Sequence, residues 1–177
     1  MLEKTDIPIN NILPTHCERT KNIFEQAINF AKQGGNIYLT AGQSGKIGDT
    51  ASQVYHDLNE GVEIDKVTIS SDGRGIQPIF NESMQCLGFT YTMPYAIHEE
   101  IKVMINEFKI RIEDAISIAT INVAKRLGID DVKGTIKRNA DADILVLDND
   151  LNIKYVFAKG KLTMKDKEIL LKDRFGS

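Results

Sequence analysis

The chain has 177 residues, of which 42% are hydrophobic and 27% charged, and its formal net charge is −3. This composition is typical of an ordinary globular protein and argues against disorder. The slight acidic excess argues against nucleic-acid binding, which usually comes with a basic surplus. No apolar run approaches the ~18 residues that a membrane span requires, so we expect no membrane association.

The first residues and the cysteines indicate whether the protein is secreted or cytoplasmic. The first six residues already contain acids and no apolar core stretch, so we expect no secretory signal. Two cysteines, Cys17 and Cys86, are too few for a disulfide framework. Free thiols in a reducing compartment fit best, and we therefore expect a cytoplasmic protein.

Hydrophobic spacing predicts alternating helices and strands in the first part of the chain. Pro14 biases Leu13 toward an extended conformation. The elements predicted after it are a helix around residues 24–31, a strand over 36–41, a helix over 50–58 and a strand over 66–71. This alternation is typical of parallel strands joined by crossover helices.

The second part of the chain changes in character. Apolar faces predict one helix over 97–108 and another over 112–127, the latter closed by Gly128. After these helices only short strand-like runs follow, at 143–147, 153–158, 161–164 and 168–171. We therefore place a boundary near residue 130, between an α/β part (residues 1–130) and a small all-β part (131–177). A complete eight-stranded (β/α) barrel needs ~200 to 250 residues, so the chain is too short to be one.

Two segments carry side chains suited to metal-dependent chemistry. In the first, His16 could bind a divalent metal, and the guanidinium fork of Arg19 suits a substrate carboxylate. In the second, Asp72 follows a predicted parallel strand, at the end where α/β folds place functional groups. Its carboxylate could bind a metal or accept a proton from water. Polar loop positions for His16 and Arg19, and a turn or cap for Asp72, remain the alternatives.

Other candidates are weaker. The segment from Gly42 to Gly48 has the wrong spacing for a phosphate loop and is expected to be a surface loop. His98-Glu99-Glu100 lacks the second histidine of a zinc peptidase, and we expect both glutamates on the solvent side of their helix. We expect His56 at the surface. Cys17 has no identifiable orienting partner and is a poor candidate nucleophile.

Three segments together resemble the isoaspartyl dipeptidases of the amidohydrolase superfamily. They are Pro-Thr-His-x-x-Arg at residues 14–19, Ser-Ser-Asp-Gly-x-Gly at 70–75, and Ala-Asp-Ala-Asp-Ile at 140–144. The likeness extends over roughly residues 10 to 175. It implies a partial (β/α) barrel, resembling strands 6–8 of a TIM barrel, followed by part of a small β-sandwich.

The resemblance also assigns roles to individual residues. It implies that His16 is the metal ligand of the sixth strand, and that Asp72 on the eighth contacts metal and acts as general base. Arg19 matches the arginine that holds a substrate carboxylate. Ile76 stands where the family has a serine that helps to hold the dipeptide, so substrate specificity is expected to differ. The family holds two zinc ions, whose other ligands include a His-x-His pair that this sequence lacks.

The function implied is metal-dependent hydrolysis of β-aspartyl dipeptides. Because catalytic zinc sites use at least three protein ligands, we predict little or no activity for this chain alone. Open strand edges predict a homo-oligomer, or pairing with a missing N-terminal half. The alternative is a non-catalytic α/β module for assembly or binding, with His16 and Asp72 as relics. Other amidohydrolase branches, such as dihydroorotases, are disfavoured by Arg19.

Overall fold

The computed structural model describes residues 6–42, 47–81, 83 and 85–171. Helices and strands alternate at first, and the last four elements are all strands. In chain order these are α1 (Lys21–Lys32), β1 (Ile37–Thr40), α2 (Asp49–Asn59), β2 (Val67–Ser70), β3 (Ile76–Phe80), β4 (Cys86–Tyr91), α3 (Ala96–Asn106), α4 (Ile112–Ser117), α5 (Ile121–Leu127), β5 (Ile144–Leu147), β6 (Ile153–Ala158), β7 (Lys161–Lys165) and β8 (Glu168–Ile169).

The core is built around a parallel pair of strands. β1 and β2 pair with Ile37 opposite Val67 and Leu39 opposite Ile69. All four side chains are almost completely buried, because helices cover both faces of a parallel sheet and leave little room for alternation with polar residues. Buried residues of α1, α2 and α3 form one hydrophobic core with this pair. The two strands and two helices predicted between residues 24 and 71 are thus confirmed.

The segment before α1 differs from the expectation of a third parallel strand. Residues 12–15 form no strand, and one backbone hydrogen bond, from the Cys17 N–H to the Tyr38 carbonyl (3.2 Å), joins the following loop to β1. Pro14 has no N–H to donate to a strand ladder, which favours this irregular path. Of the three parallel strands that the resemblance implies, the described residues contain two, β1 and β2, which pair with each other.

The helix predicted over 112–127 is two helices, α4 and α5. The chain breaks between them because the Ile118 carbonyl accepts a hydrogen bond from the Ile69 N–H (3.0 Å), on β2, instead of continuing a helix. The Thr120 hydroxyl donates to the Ile116 carbonyl (2.8 Å), a local bond that competes with helical pairing. The prediction of one continuous helix was wrong for this tertiary reason.

A hairpin that the sequence reasoning did not identify follows β2. Its strands β3 and β4 are antiparallel, with Gln77 opposite Thr90 and an irregularity between Ile79 and Phe80. One face of the hairpin exposes large apolar side chains: Ile76, Leu87, Phe89 and Tyr91. Hydrogen bonds from Gln77 to Asp72 and from Thr92 to Ser71 place the hairpin beside the carboxyl end of β2.

The described residues after 140 form a four-stranded antiparallel sheet in the order β5-β6-β7-β8. The short strands predicted there are confirmed. Lys133 forms ion pairs with Asp141 (2.7 Å) and Asp143, and these tie the segment after α5 to the start of the sheet. The division of the chain near residue 130 stays a prediction. Among the described helices, none combines the length and apolarity needed to cross a bilayer.

Candidate active site

The side chains of His16 and Asp72 meet at the carboxyl end of the β1–β2 pair. Asp72 lies two residues beyond β2, and His16 lies in the loop before α1. The distance from His16 Nε2 to Asp72 Oδ2 is 3.9 Å. Both residues have positive φ, 55° for His16 and 46° for Asp72. Such backbone strain costs ~1–3 kcal/mol per residue and is concentrated at functional sites.

β1 fixes the orientation of the His16 ring. Nδ1 lies 2.8 Å from the Thr40 hydroxyl, and the ring packs edge-on against Tyr38 with centroids 5.8 Å apart. Burial lowers the pKa of His16, the positive charge of Arg19 lowers it further, and Asp72 partly opposes both. These surroundings favour the neutral form of the imidazole. With Nδ1 held by Thr40, Nε2 is the nitrogen that faces the carboxylate of Asp72.

The backbone of Asp72 is held from β2. The Asp72 N–H donates to the Ser70 hydroxyl (3.3 Å), and that hydroxyl is 2.6 Å from the Tyr38 hydroxyl. On the opposite side, Gln77 Nε2 donates to Asp72 Oδ2, and the Thr92 hydroxyl donates to the Asp72 carbonyl (3.2 Å). The carboxylate is thus oriented by the hairpin, and its side chain remains 41% exposed.

Arg19 lines a cleft of about 230 Å³ next to this pair. The cleft lies between the first turn of α2 and the hairpin, and its other lining residues are Glu18, Asp49, Thr50, Gln53, Pro78, Ile79 and Phe80. Glu18 connects the cleft to the histidine, since its Oε1 is 3.8 Å from His16 Nδ1. Burial raises the pKa of the Glu18 carboxyl. A cation beside polar and apolar walls suits a small substrate that carries a carboxylate.

The weaker candidates have structural roles or lie elsewhere. Glu100 is completely buried, so the expectation of a solvent-facing residue was wrong. Its carboxylate accepts hydrogen bonds from the N–H groups of Gly48 (3.1 Å) and Ala51 (2.8 Å), and it thereby caps α2. His56 is exposed, as predicted. Cys17 is buried, and burial raises its pKa to about 11, which is unfavourable for a nucleophile.

One predicted loop is only partly described by the structure, and one buried residue was not predicted. Of the segment from Gly42 to Gly48, residues 43–46 lie outside the described residues. Asp57, which the sequence analysis did not single out, is completely buried on α2, and burial raises its pKa to about 7. Its place on the face of α2 that also carries Ala51 and Val54 is the pattern that could have revealed it.

Comparison with known proteins decides the family. The sequence model of the amidohydrolase family matches residues 10–163. The chain belongs to the amidohydrolase family. This amidohydrolase is similar to the crystal structure of a β-aspartyl dipeptidase from Fervidobacterium islandicum AW-1 in complex with a β-Asp-Leu dipeptide. The two share 32% identity with a TM-score of 0.82, over 98% of this chain and 46% of that chain. The resemblance to isoaspartyl dipeptidases is thus confirmed, over about half the length of that relative.

Other relatives are more distant. An imidazolonepropionase from Thermoplasma volcanium is 29% identical over 91 residues, which are 51% of this chain and 22% of that protein. An adenosine deaminase from Xanthomonas campestris, solved with bound zinc, has 15% identity and a TM-score of 0.53 over 94% of this chain and 40% of its own. The latter likeness shows the fold alone. The amidohydrolase family is typically metal-dependent.

The donor set here fits part of a metal site. A neutral imidazole nitrogen and a carboxylate oxygen are donors that zinc uses in proteins, and they face each other at 3.9 Å. The bond from His16 Nδ1 to Thr40 is the kind of outer contact that fixes a ligating histidine. Within the described ranges, no group of three or more His, Cys, Asp or Glu side chains is placed to hold a metal ion. The residues present therefore fit two positions of a larger ligand set.

Proposed function

We propose that this amidohydrolase provides part of the active site of a metal-dependent hydrolase that cleaves β-aspartyl dipeptides. The observation that carries the proposal is the juxtaposition of His16 Nε2 and Asp72 Oδ2, 3.9 Å apart at the carboxyl end of two parallel strands. The carboxyl ends of barrel strands are where barrel enzymes assemble their catalytic groups. The likeness to a β-aspartyl dipeptidase over nearly the whole chain supports this choice of substrate class.

Each of the three site residues has a role in the proposed reaction. His16 and Asp72 would hold zinc, two ions of which are implied by the resemblance. Zinc, when bound, polarises a carbonyl and lowers the pKa of water. The Asp72 carboxylate would accept a proton from water as the general base, and the protonated carboxyl group would then donate it to the leaving amine. Arg19 binds a substrate carboxylate in the adjoining cleft and so orients the dipeptide.

Two ligands are too few for a catalytic zinc site, which takes at least three. We therefore propose that the remaining ligands come from polypeptide outside these 177 residues, as a missing N-terminal half. The 177-residue chain alone then has little or no activity. The share of the β-aspartyl dipeptidase that the chain covers, 46%, leaves ample sequence for such a half.

The experiment is a complementation assay with β-Asp-Leu as substrate and zinc present. The chain is tested alone and after mixing with the separately produced first half of the Fervidobacterium relative. Hydrolysis is expected in the mixture, and His16→Ala and Asp72→Asn should each abolish it. His56→Ala, which removes an exposed histidine, serves as the control and should leave activity unchanged. Activity that survives Asp72→Asn in the mixture would refute the assignment.

A non-catalytic assembly module is the second candidate. It is favoured by the apolar face of the β3–β4 hairpin, where Ile76, Phe89 and Tyr91 are mostly exposed. Faces of this kind usually mark protein contacts, and a homo-oligomer is the form we expect. Sedimentation would show an oligomer for either candidate, whereas zinc bound in stoichiometric amount would favour the enzyme.

A further inference from the structure

Gln77 stands out on the β3–β4 hairpin because it is only 2% exposed. The residue before it, Ile76, is 74% exposed and faces the other way. Gln77 Nε2 donates a hydrogen bond to Asp72 Oδ2. Among the described residues, it is the only hydrogen bond that this carboxylate accepts. A hairpin strand thus directs its one deeply buried polar side chain at the candidate general base.

The oxygen of the Gln77 side-chain amide makes this burial unfavourable for folding. Its Oε1 is buried and has no hydrogen-bond partner among the described residues. Leaving a buried amide oxygen unpaired costs roughly 1–3 kcal/mol. A methionine of the same length would avoid that cost. The benefit of glutamine here lies in its donor, since an amide oxygen turned toward the Asp72 carboxylate would place two acceptors together.

Thr92, the residue that follows β4, holds the backbone at the same point. The buried Thr92 hydroxyl donates to the carbonyls of Ser71 and Asp72, and the Arg74 N–H donates to the Thr92 carbonyl (2.9 Å). These bonds secure the strained φ of Asp72, but they do not reach its carboxylate. Of the two hairpin strands, β3 alone supplies a donor to the carboxylate oxygens, through Gln77.

We propose that Gln77 is a positioning residue that keeps the Asp72 carboxylate turned toward His16. Without this donor, no hydrogen bond among the described residues holds the carboxylate, which is 41% exposed and can rotate into water instead. The hairpin then does more than present an apolar face, because it sets the direction of the site's carboxylate. The ligand role of that carboxylate rests on the proposed function, whereas its orientation does not.

The test compares Gln77→Met with Thr90→Val in the 177-residue chain. Methionine keeps the length and removes the donor, and Thr90, the Cα partner of Gln77 on β4, loses a hydroxyl at the same level of the hairpin. Three measurements are made on each: urea unfolding, a crystal structure without metal, and titration with Co²⁺ followed by its visible absorption.

For Gln77→Met we expect unchanged or slightly higher stability, an Asp72 carboxylate rotated away from His16, and a Co²⁺ affinity at least tenfold weaker than that of the parent chain. Thr90→Val should match the parent in orientation and affinity. A Gln77→Met variant in which Asp72 still faces His16 would overturn the proposal. The proposal would also be overturned if Asp72 turns away only in a variant whose hairpin has unfolded. If the parent chain binds no Co²⁺, its two ligands alone do not hold the metal, and the crystal structures decide the role of Gln77. The metal function is then judged by the complementation assay described above.

Discussion

Asp57 should make the chain less stable at neutral pH than at mildly acidic pH. Its side chain is completely buried in the apolar face of α2, and neither carboxylate oxygen has a hydrogen-bond partner among the described residues. Burial raises its pKa from 3.8 to about 7. A carboxyl group with a raised pKa binds its proton more tightly in the folded chain than in the unfolded chain. The contribution of Asp57 to stability is therefore greatest below about pH 4 and is lost as the pH rises toward 7.

The size of the effect follows from the two pKa values. At ~1.4 kcal/mol for each pKa unit, a change from 3.8 to about 7 amounts to at most about 4 kcal/mol. Asp57→Asn keeps the shape of the side chain and removes the charge. We expect this variant to be more stable than the parent by up to about 4 kcal/mol at pH 8, and nearly equal to it at pH 4.

The assay is urea unfolding followed by circular dichroism at pH 4, 6 and 8. Glu18 and Glu100 also have pKa values raised by burial, so the difference between variant and parent is the quantity to read. Asp131→Asn, at an exposed carboxylate, is the matched control and should show no pH-dependent difference. If Asp57→Asn is no more stable than the parent at pH 8, the buried carboxylate does not carry an uncompensated charge, and the reasoning fails.

Three further predictions concern the buried cap, a crowded glycine and the two thiols. Glu100→Gln should lower the free energy of unfolding by about 1.5–3 kcal/mol, because it weakens two charge-assisted bonds to the start of α2. Gly134→Ala should cost about 1–3 kcal/mol by thermal or urea unfolding, since φ is +79° and a Cβ would lie 2.8 Å from the Ile121 Cα. A thiol reagent should label Cys86 in the folded chain and Cys17 only after unfolding, as one is exposed and the other buried.

Each of these has a matched comparison. Glu99→Gln alters the neighbouring, partly exposed glutamate and should change stability by less than about 0.5 kcal/mol. Gly61→Ala also has a positive φ of +86° but meets nothing within 4 Å, so it should cost less than Gly134→Ala. Equal costs for the two glycines would show that backbone strain alone, without crowding, governs both. Two fast-reacting thiols in the folded chain would contradict the buried position of Cys17.

The sequence was informative where local chemistry decides the outcome. Strands such as Ile37–Thr40 and Val67–Ser70 consist of β-branched and apolar residues bounded by turn residues, and they form as predicted. His16 and Asp72 were found from motifs at strand ends, and the structure brings them to 3.9 Å. Their roles as ligand and base stay predictions.

Features that depend on tertiary contacts were not predictable. The apolar spacing over 112–127 continues through the break at Ile118, because the break is set by a bond to Ile69 on a distant strand. Helical spacing did not distinguish Glu99 from Glu100, and only the packing of α3 on α2 decides which one is buried. A single glutamine such as Gln77 carries no periodic signal, and its function is visible only once the hairpin is folded.

The hydrogen bond between the Ile69 N–H and the Ile118 carbonyl makes the two edges of the parallel sheet unequal as places for a further strand. An additional strand joining beside β2 would need the Ile69 N–H that Ile118 already occupies, so it would first have to displace the link between α4 and α5. A strand that pairs with the other edge of β1 would not need the N–H group of Ile69. Any polypeptide that pairs with β2 at Ile69 must therefore break this hydrogen bond, and its loss will oppose docking.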